Sequence, residues 1–185
     1  MSGTAERRMR LFFALWPSAG MQEQLAAAAA AALDALRSGR PVPRANLHLT
    51  LAFLGSTPES ALPALEDAAR AAGAAAGAAA VEVTFDALEY WRRAQLVCAA
   101  ARSAPDAASA FAAALKQKLT SRGFAPDLKP FRPHVTLARQ VRHEPLERAL
   151  AQVRWRFRDF ALVESRSSPG GSLYSVCASW PLYSG

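Results

Sequence analysis

The sequence predicts an α+β fold made of two similar lobes, each an antiparallel sheet with helices on its outside. Three observations point there. Short apolar stretches that suit strands take turns with alanine-rich stretches that suit helices. After a first strand, the order helix, motif strand, helix, paired strands is read twice, with a period of about half the chain. One pattern, His-x-Thr-Leu, occurs once in each half, as His48-Leu49-Thr50-Leu51 and as His134-Val135-Thr136-Leu137. The 185 residues suit one domain. Its lobes would span roughly 10–90 and 95–183, with outer strands free to exchange between them.

Taken in order, Leu11 to Trp16 is bulky and short, a strand halted by Pro17. Ser18 can cap a helix that runs through the alanines at 26–32 and stops before Gly39. Pro41-Val42-Pro43 imposes an extended approach to the first motif strand, Leu47 to Phe53. Gly55 turns the chain, and Thr57-Pro58 reads as a cap and first position of a helix reaching about Ala72. Gly73 to Gly77 breaks that pattern before a strand at Val81 to Phe85. A polar connection containing Trp91-Arg92-Arg93 leads to a second strand, Gln95 to Ala101, paired with the first. Pro105-Asp106 opens a helix over Ala107 to Thr120, with Phe111 and Leu115 on one buried face. Gly123 stops it, and a proline-rich loop enters the second motif strand, Phe131 to Arg139. A short helix from Glu144 to Ala151 precedes paired strands near Trp155 to Glu164 and Ser172 to Trp180.

Bulk properties narrow the class of function. Twenty-two Lys and Arg against fifteen Asp and Glu leave a net charge of +7. That excess favours a polyanionic partner such as nucleic acid, although no dense basic tail is present. Cys98 and Cys177 form no C-x-x-C and read as reduced thiols in strands. Arg7-Arg8 ahead of Leu11-Phe12-Phe13 has the look of a secretion signal, but the apolar run ends at Pro17, short of what one requires. The expected setting is the cytoplasm, as a monomer.

The motifs carry the chemistry. On a strand, successive side chains point to opposite faces, so His48 and Thr50 share one face while Leu49 and Leu51 share the other. The same holds for His134 and Thr136 against Val135 and Leu137. Only three histidines exist in the chain, and His143 lies outside both copies. Neutral imidazole is a base and imidazolium an acid near pH 7, so a facing pair can move protons on both sides of a reacting centre. Which ring takes which role is open on these grounds. The threonine hydroxyls suit non-bridging phosphate oxygens on which charge builds. Near either motif no carboxylate or cysteine falls at metal-ligand spacing, Asp127 and Glu144 being loosely placed. Gly170-Gly171 lacks the lysine and helix of a nucleotide-binding loop. No cofactor or metal is expected. Phe53, Trp91 and Tyr174 are aromatic candidates for stacking a base, and read as core or rim packing.

Both H-x-T-L copies, together with RLFFALWP (Arg10–Pro17), NLHLTLAFLG (Asn46–Gly55), FRPHVTLAR (Phe131–Arg139) and the end from Phe160 to Leu182, resemble the two-histidine phosphoesterase superfamily. The closer likeness is to its bacterial and archaeal RNA 2′,3′-cyclic phosphodiesterases, formerly described as 2′-5′ RNA ligases. The resemblance implies that the motif strands flank a central cleft about a pseudo-twofold axis. It further implies metal-independent hydrolysis of RNA 2′,3′-cyclic ends to 2′-phosphates, with His48 as proton donor and His134 as proton acceptor. Arg139 matches an arginine that follows the second motif in that family and would neutralise phosphate. By strict alternation it faces away from His134, so it must sit where the strand ends or bulges; Arg132 has the right parity but adjoins Pro133. Two other readings compete. One is 2′-5′ ligation, or hydrolysis of small cyclic nucleotides, in the same cleft. The other is a non-catalytic RNA-end binder, which would have no need of two histidines.

Overall fold

The computed structural model describes residues 6–75, 80–146, 148–169 and 171–182. Its first strand, β1 (Arg8–Leu15), is buried on both faces from Leu11 onward. The reason is that two clusters compete for it. Leu11, Phe13 and Leu15 enter the main core, whereas Phe12 and Ala14 join Ala161 and Val163 in a smaller cluster on the opposite face. Helix α1 (Ala19–Asp34) begins where Ser18 Oγ accepts the Met21 N–H at 3.3 Å, as its cap residue predicts. Leu25, Ala29 and Ala32 recur at helical spacing and bury its inner face.

Two-residue β2 (Arg40–Pro41) precedes β3 (Leu49–Pro58), which carries the first motif. Helix α2 (Leu62–Ala75), β4 (Val81–Phe85), β5 (Ala87–Trp91) and β6 (Leu96–Ala100) follow. After α3 (Asp106–Thr120) come β7 (His134–Arg139) with the second motif, β8 (Val153–Phe157), β9 (Asp159–Ser168) and β10 (Gly171–Pro181). All strand pairs are antiparallel. The large sheet runs β10-β9-β1-β3-β7-β6-β5, with β2 beside β7, and β4 with β8 forms a second, two-stranded sheet. The strands at the end of the chain therefore lie beside the strand at its start. Among the described residues no helix is long and apolar enough to cross a membrane.

Four expectations need correction. Thr57 is no helix cap: Thr57 and Pro58 pair with Met9 and Arg8 at the end of β3, and the Thr57 hydroxyl donates to the Gly55 carbonyl at 3.4 Å. Helix α2 passes straight through Gly73, where a Cβ would lie 2.6 Å from the Pro181 carbonyl oxygen. Glycine here permits close approach of strand to helix rather than a break; Gly77 lies outside the described residues. The strands at Val81–Phe85 and 96–100 are not partners, because β4 pairs with β8 while β6 pairs with β5, a strand that the polar connection concealed. The helix expected over Glu144–Ala151 is irregular chain in its described part. Its apolar Leu146 is 74% exposed, while Leu150 packs against the main core without helical structure.

Candidate active site

The two motif strands meet at one point, the bridge Leu49↔Val135. Both bridging side chains are completely buried beneath the sheet. Extending that antiparallel register by one residue sets Thr50 across from His134 and His48 across from Thr136, all four on the opposite, open face. The same position of each motif thus forms the bridge.

Each imidazole is held in the same way. Nδ1–H of His48 donates to the Asn46 carbonyl at 2.7 Å, and Nδ1–H of His134 donates to the Arg132 carbonyl at 2.7 Å. A carbonyl can only accept, so Nδ1 carries the proton in both rings and Nε2 is the free position. The segment before His48 is pinned in turn. Buried Gln22 of α1 donates to the Ala45 and Leu47 carbonyls at 3.1 Å, and the Asn46 side chain donates to the Ser172 carbonyl of β10 at 3.0 Å.

The surroundings of the rings differ. His48 lies parallel to Trp16 at 5.3 Å, with Phe12 at 4.9 Å and Tyr174 edge-on at 5.2 Å. His134 has one aromatic neighbour among the described residues, Trp91 at 4.4 Å. Burial accordingly holds the His48 pKa down at about 4, the Asn46 bond opposing and the charges of Arg139 and His134 assisting. The His134 pKa is also lowered, by burial first, with the bond to the Arg132 carbonyl and the Glu89 charge opposing and the Arg132 and Arg139 charges assisting. Both rings are neutral at pH 7 in the free protein.

A stability prediction follows from His48. Its depressed pKa means that the unfolded chain takes up a proton that the folded one resists. The folded state therefore has its full advantage above the ordinary pKa of about 6.5 and loses it as pH falls toward about 4. The loss is on the order of 3 kcal/mol from this ring. Denaturation midpoints measured between pH 7 and 4 should fall, and His48→Asn should flatten that fall; an unchanged slope in the variant would remove His48 as its source.

Arg139 reaches the open face through a bulge. In the β6–β7 ladder Val97 pairs with Ala138 and Cys98 with Thr136, so Leu137 is the extra residue. The bulge resets the alternation, and Leu137 and Ala138 are both buried while Arg139 is exposed. The first motif does the same: Phe13 pairs with Ala52 and Ala14 with Thr50, which leaves Leu51 extra and brings Phe53 out. Position for position, Phe53 and Arg139 correspond. Both line a cleft of about 390 Å³ together with Arg10, Phe12, His48 and Thr50. His134 and Thr136, on the adjacent strand, share this face by the register of the Leu49↔Val135 bridge but do not line the cleft itself. Arg132 is occupied elsewhere, its Nη2 donating to both Glu89 carboxylate oxygens at 2.8 and 2.7 Å and its guanidinium lying over Trp91.

Sequence reasoning missed the box around His48 and the partner of Thr136. Phe12 and Trp16 had a readable signal, since they share parity with Arg10 in RLFFALW. Cys98, opposite Thr136, had none. Burial pushes its pKa up to about 12, so it stays a thiol within hydrogen-bonding reach of the Thr136 hydroxyl. Cys177 is a free thiol on the surface. Tyr174, Phe53 and Trp91 are rim residues of the site: Phe53 is 38% exposed and lies under the Arg10 guanidinium. Among the described residues no group of three or more His, Cys, Asp or Glu is placed to hold a metal ion.

The twin H-x-T strands thus meet near the centre of one antiparallel sheet. The chain matches the model of the 2′-5′ RNA ligase superfamily over residues 21–168, and it belongs to that superfamily. It is similar to the RNA 2′,3′-cyclic phosphodiesterase of Escherichia coli, 31% identical over 178 residues, 94% of this chain and 96% of that one. It is also similar to the RNA 2′,3′-cyclic phosphodiesterase of Thermus thermophilus, 33% identical over 183 residues, with 94% and 90% covered. The crystal structure of E. coli LigT complexed with 3′-AMP matches with a TM-score of 0.81 and 28% identity, over 95% of this chain and 98% of that one.

Proposed function

We propose that the protein hydrolyses RNA 2′,3′-cyclic phosphate ends to 2′-phosphomonoesters, without a metal, by general acid and base catalysis from two histidines. The observation that carries this reading is the matched pair of imidazoles, each fixed through Nδ1 by a 2.7 Å bond so that Nε2 serves the same open face. His134 Nε2 removes a proton from water as its oxygen attacks phosphorus. The bond from phosphorus to the ribose 3′-oxygen breaks, and His48 Nε2–H delivers a proton to that oxygen, leaving the phosphate on the 2′-position. Thr50 and Thr136 donate to the non-bridging oxygens, and Arg139 answers their charge with two fixed donors. Since both rings are neutral in the free protein, His48 gains its proton as the anionic substrate settles beside it.

We propose likewise that the chain is an internal duplication. Supporting this, β9-β1-β3 and β5-β6-β7 approach the Leu49↔Val135 bridge in the same order from either side, and the strands after each motif, β4 and β8, pair with each other.

The direct test is a short RNA bearing a 2′,3′-cyclic phosphate, incubated with protein in excess EDTA, the product compared with 2′- and 3′-phosphate standards. The expected product is the 2′-phosphate at an undiminished rate. Loss of activity with chelator, restored by zinc or manganese, would overturn the mechanism; no hydrolysis at all would overturn the activity.

A further inference from the structure

The cleft does not end at Arg139. That residue also lines an adjoining depression of about 330 Å³ with Arg40, Gln140 and Ser172. Arg40 and Gln140 then line a third, of about 300 Å³, with Arg142 and Gln95. The three share walls in sequence, so they form one furrow leading away from the histidines. Among the described residues four arginines, Arg10, Arg40, Arg139 and Arg142, line it and no carboxylate does.

The arrangement is built rather than incidental. Arg40 and Arg139 are direct partners in the β2–β7 ladder. Residues directly opposite on antiparallel strands point to the same face, about 5 Å apart at Cα. Like charges in such positions repel, and among the described residues neither guanidinium has an ion-pair partner. Gly39 makes the approach possible, because a Cβ there would lie 2.7 Å from Val141 Cγ2 and 2.9 Å from the Arg139 carbonyl oxygen. Gln140, in the left-handed region with φ 57°, ends the strand and turns the chain toward Arg142. Backbone geometry has been spent on holding two cations side by side. An anion between them removes the repulsion.

Resting on the function proposed above, we infer that this furrow is a track for the upstream phosphates of a single RNA strand, making the substrate an oligonucleotide rather than a mononucleotide. A 2′,3′-cyclic phosphate terminates a strand, so the remaining chain leaves from the 5′-oxygen of the same ribose in one direction only. The furrow supplies that one exit. Arg139 serves the reacting phosphate at its head, and Arg40 and Arg142 take the next phosphates along it as charge-assisted forks.

The test compares kcat/KM for a nucleoside 2′,3′-cyclic phosphate with that for cyclic-ended di-, tri- and tetranucleotides of one sequence. The expected result is a gain of at least ~10-fold that levels off after two or three added nucleotides, since only two arginines follow Arg139. Arg40→Ala and Arg142→Ala should each remove part of the gain, lowering kcat/KM on the tetranucleotide more than on the mononucleotide. Each should also make the salt dependence shallower by about 0.7 in log–log slope, the value for one lost single-strand phosphate contact. Arg40→Lys, which keeps the charge, guards against a folding defect, and Arg122→Ala, at an exposed position outside the furrow's lining, should change nothing. A mononucleotide cleaved as well as a tetranucleotide, or a gain that survives both alanine variants, would overturn the inference while leaving the proposed activity standing. Failure on every substrate length would instead sink the activity itself.

Discussion

Replacing His48 or His134 with alanine is expected to lower kcat by at least ~100-fold, the usual scale of a lost general acid or base. Neither ring belongs to the main core, so circular dichroism and the denaturation midpoint at pH 7 should show a folded protein. Thr50→Ala and Thr136→Ala should cost less, because each removes one neutral donor. The two histidine variants should also differ from one another. A p-nitrophenyl phosphodiester has a leaving group that departs without a proton, so it bypasses the acid but not the base. His48→Ala should recover much of its lost activity on that substrate, and His134→Ala should not. Recovery in the opposite variant would exchange the roles; near-normal rates in either folded variant would end the two-histidine mechanism.

The second large effect is on pH dependence. Productive turnover needs one proton shared between the rings, a state bounded by two titrations. With His48 at about 4 and His134 below its ordinary value, that state in the free protein peaks on the acid side of neutrality. The profile of kcat/KM should therefore be bell-shaped with its maximum below pH 6.5, falling about tenfold per unit well above it. In kcat the descending limb should move to higher pH, since the bound phosphate charge raises both rings. His134→Ala should lose the acidic limb and His48→Ala the basic one. A metal-bound hydroxide predicts the reverse shape, a rate that climbs to a plateau as pH rises. An alkaline plateau in kcat/KM would refute the shared-proton state.

Much of the site was legible because parity is a strong rule. His-x-Thr-Leu on a strand puts the polar pair on one face whatever the tertiary context, and both copies obey it. Ser18 was legible because a hydroxyl just after Pro17 and just ahead of a long helix-forming stretch suits a cap. Arg139 was half legible: alternation required a bulge, but nothing in VTLAR says that Leu137 supplies it. Thr57-Pro58 misled because a cap and a strand end use the same extended backbone, and pairing with Met9 and Arg8 decided between them. Strand β5 escaped notice because Ala87–Trp91 is half-buried throughout and shows no contrast between faces.

The bridge between Leu49 and Val135 has a bearing on how such an enzyme can drift. One rung, rather than a long ladder, sets how far apart the two halves of the sheet stand, and the two side chains on that rung belong to the hidden interior. The gap across which a proton relay must reach is thus gauged by packing volume on the far side of the sheet. A change of one methylene at either position touches no substrate atom, yet it re-spaces the relay. Selection for turnover will therefore act on interior residues as sharply as on those in the cleft.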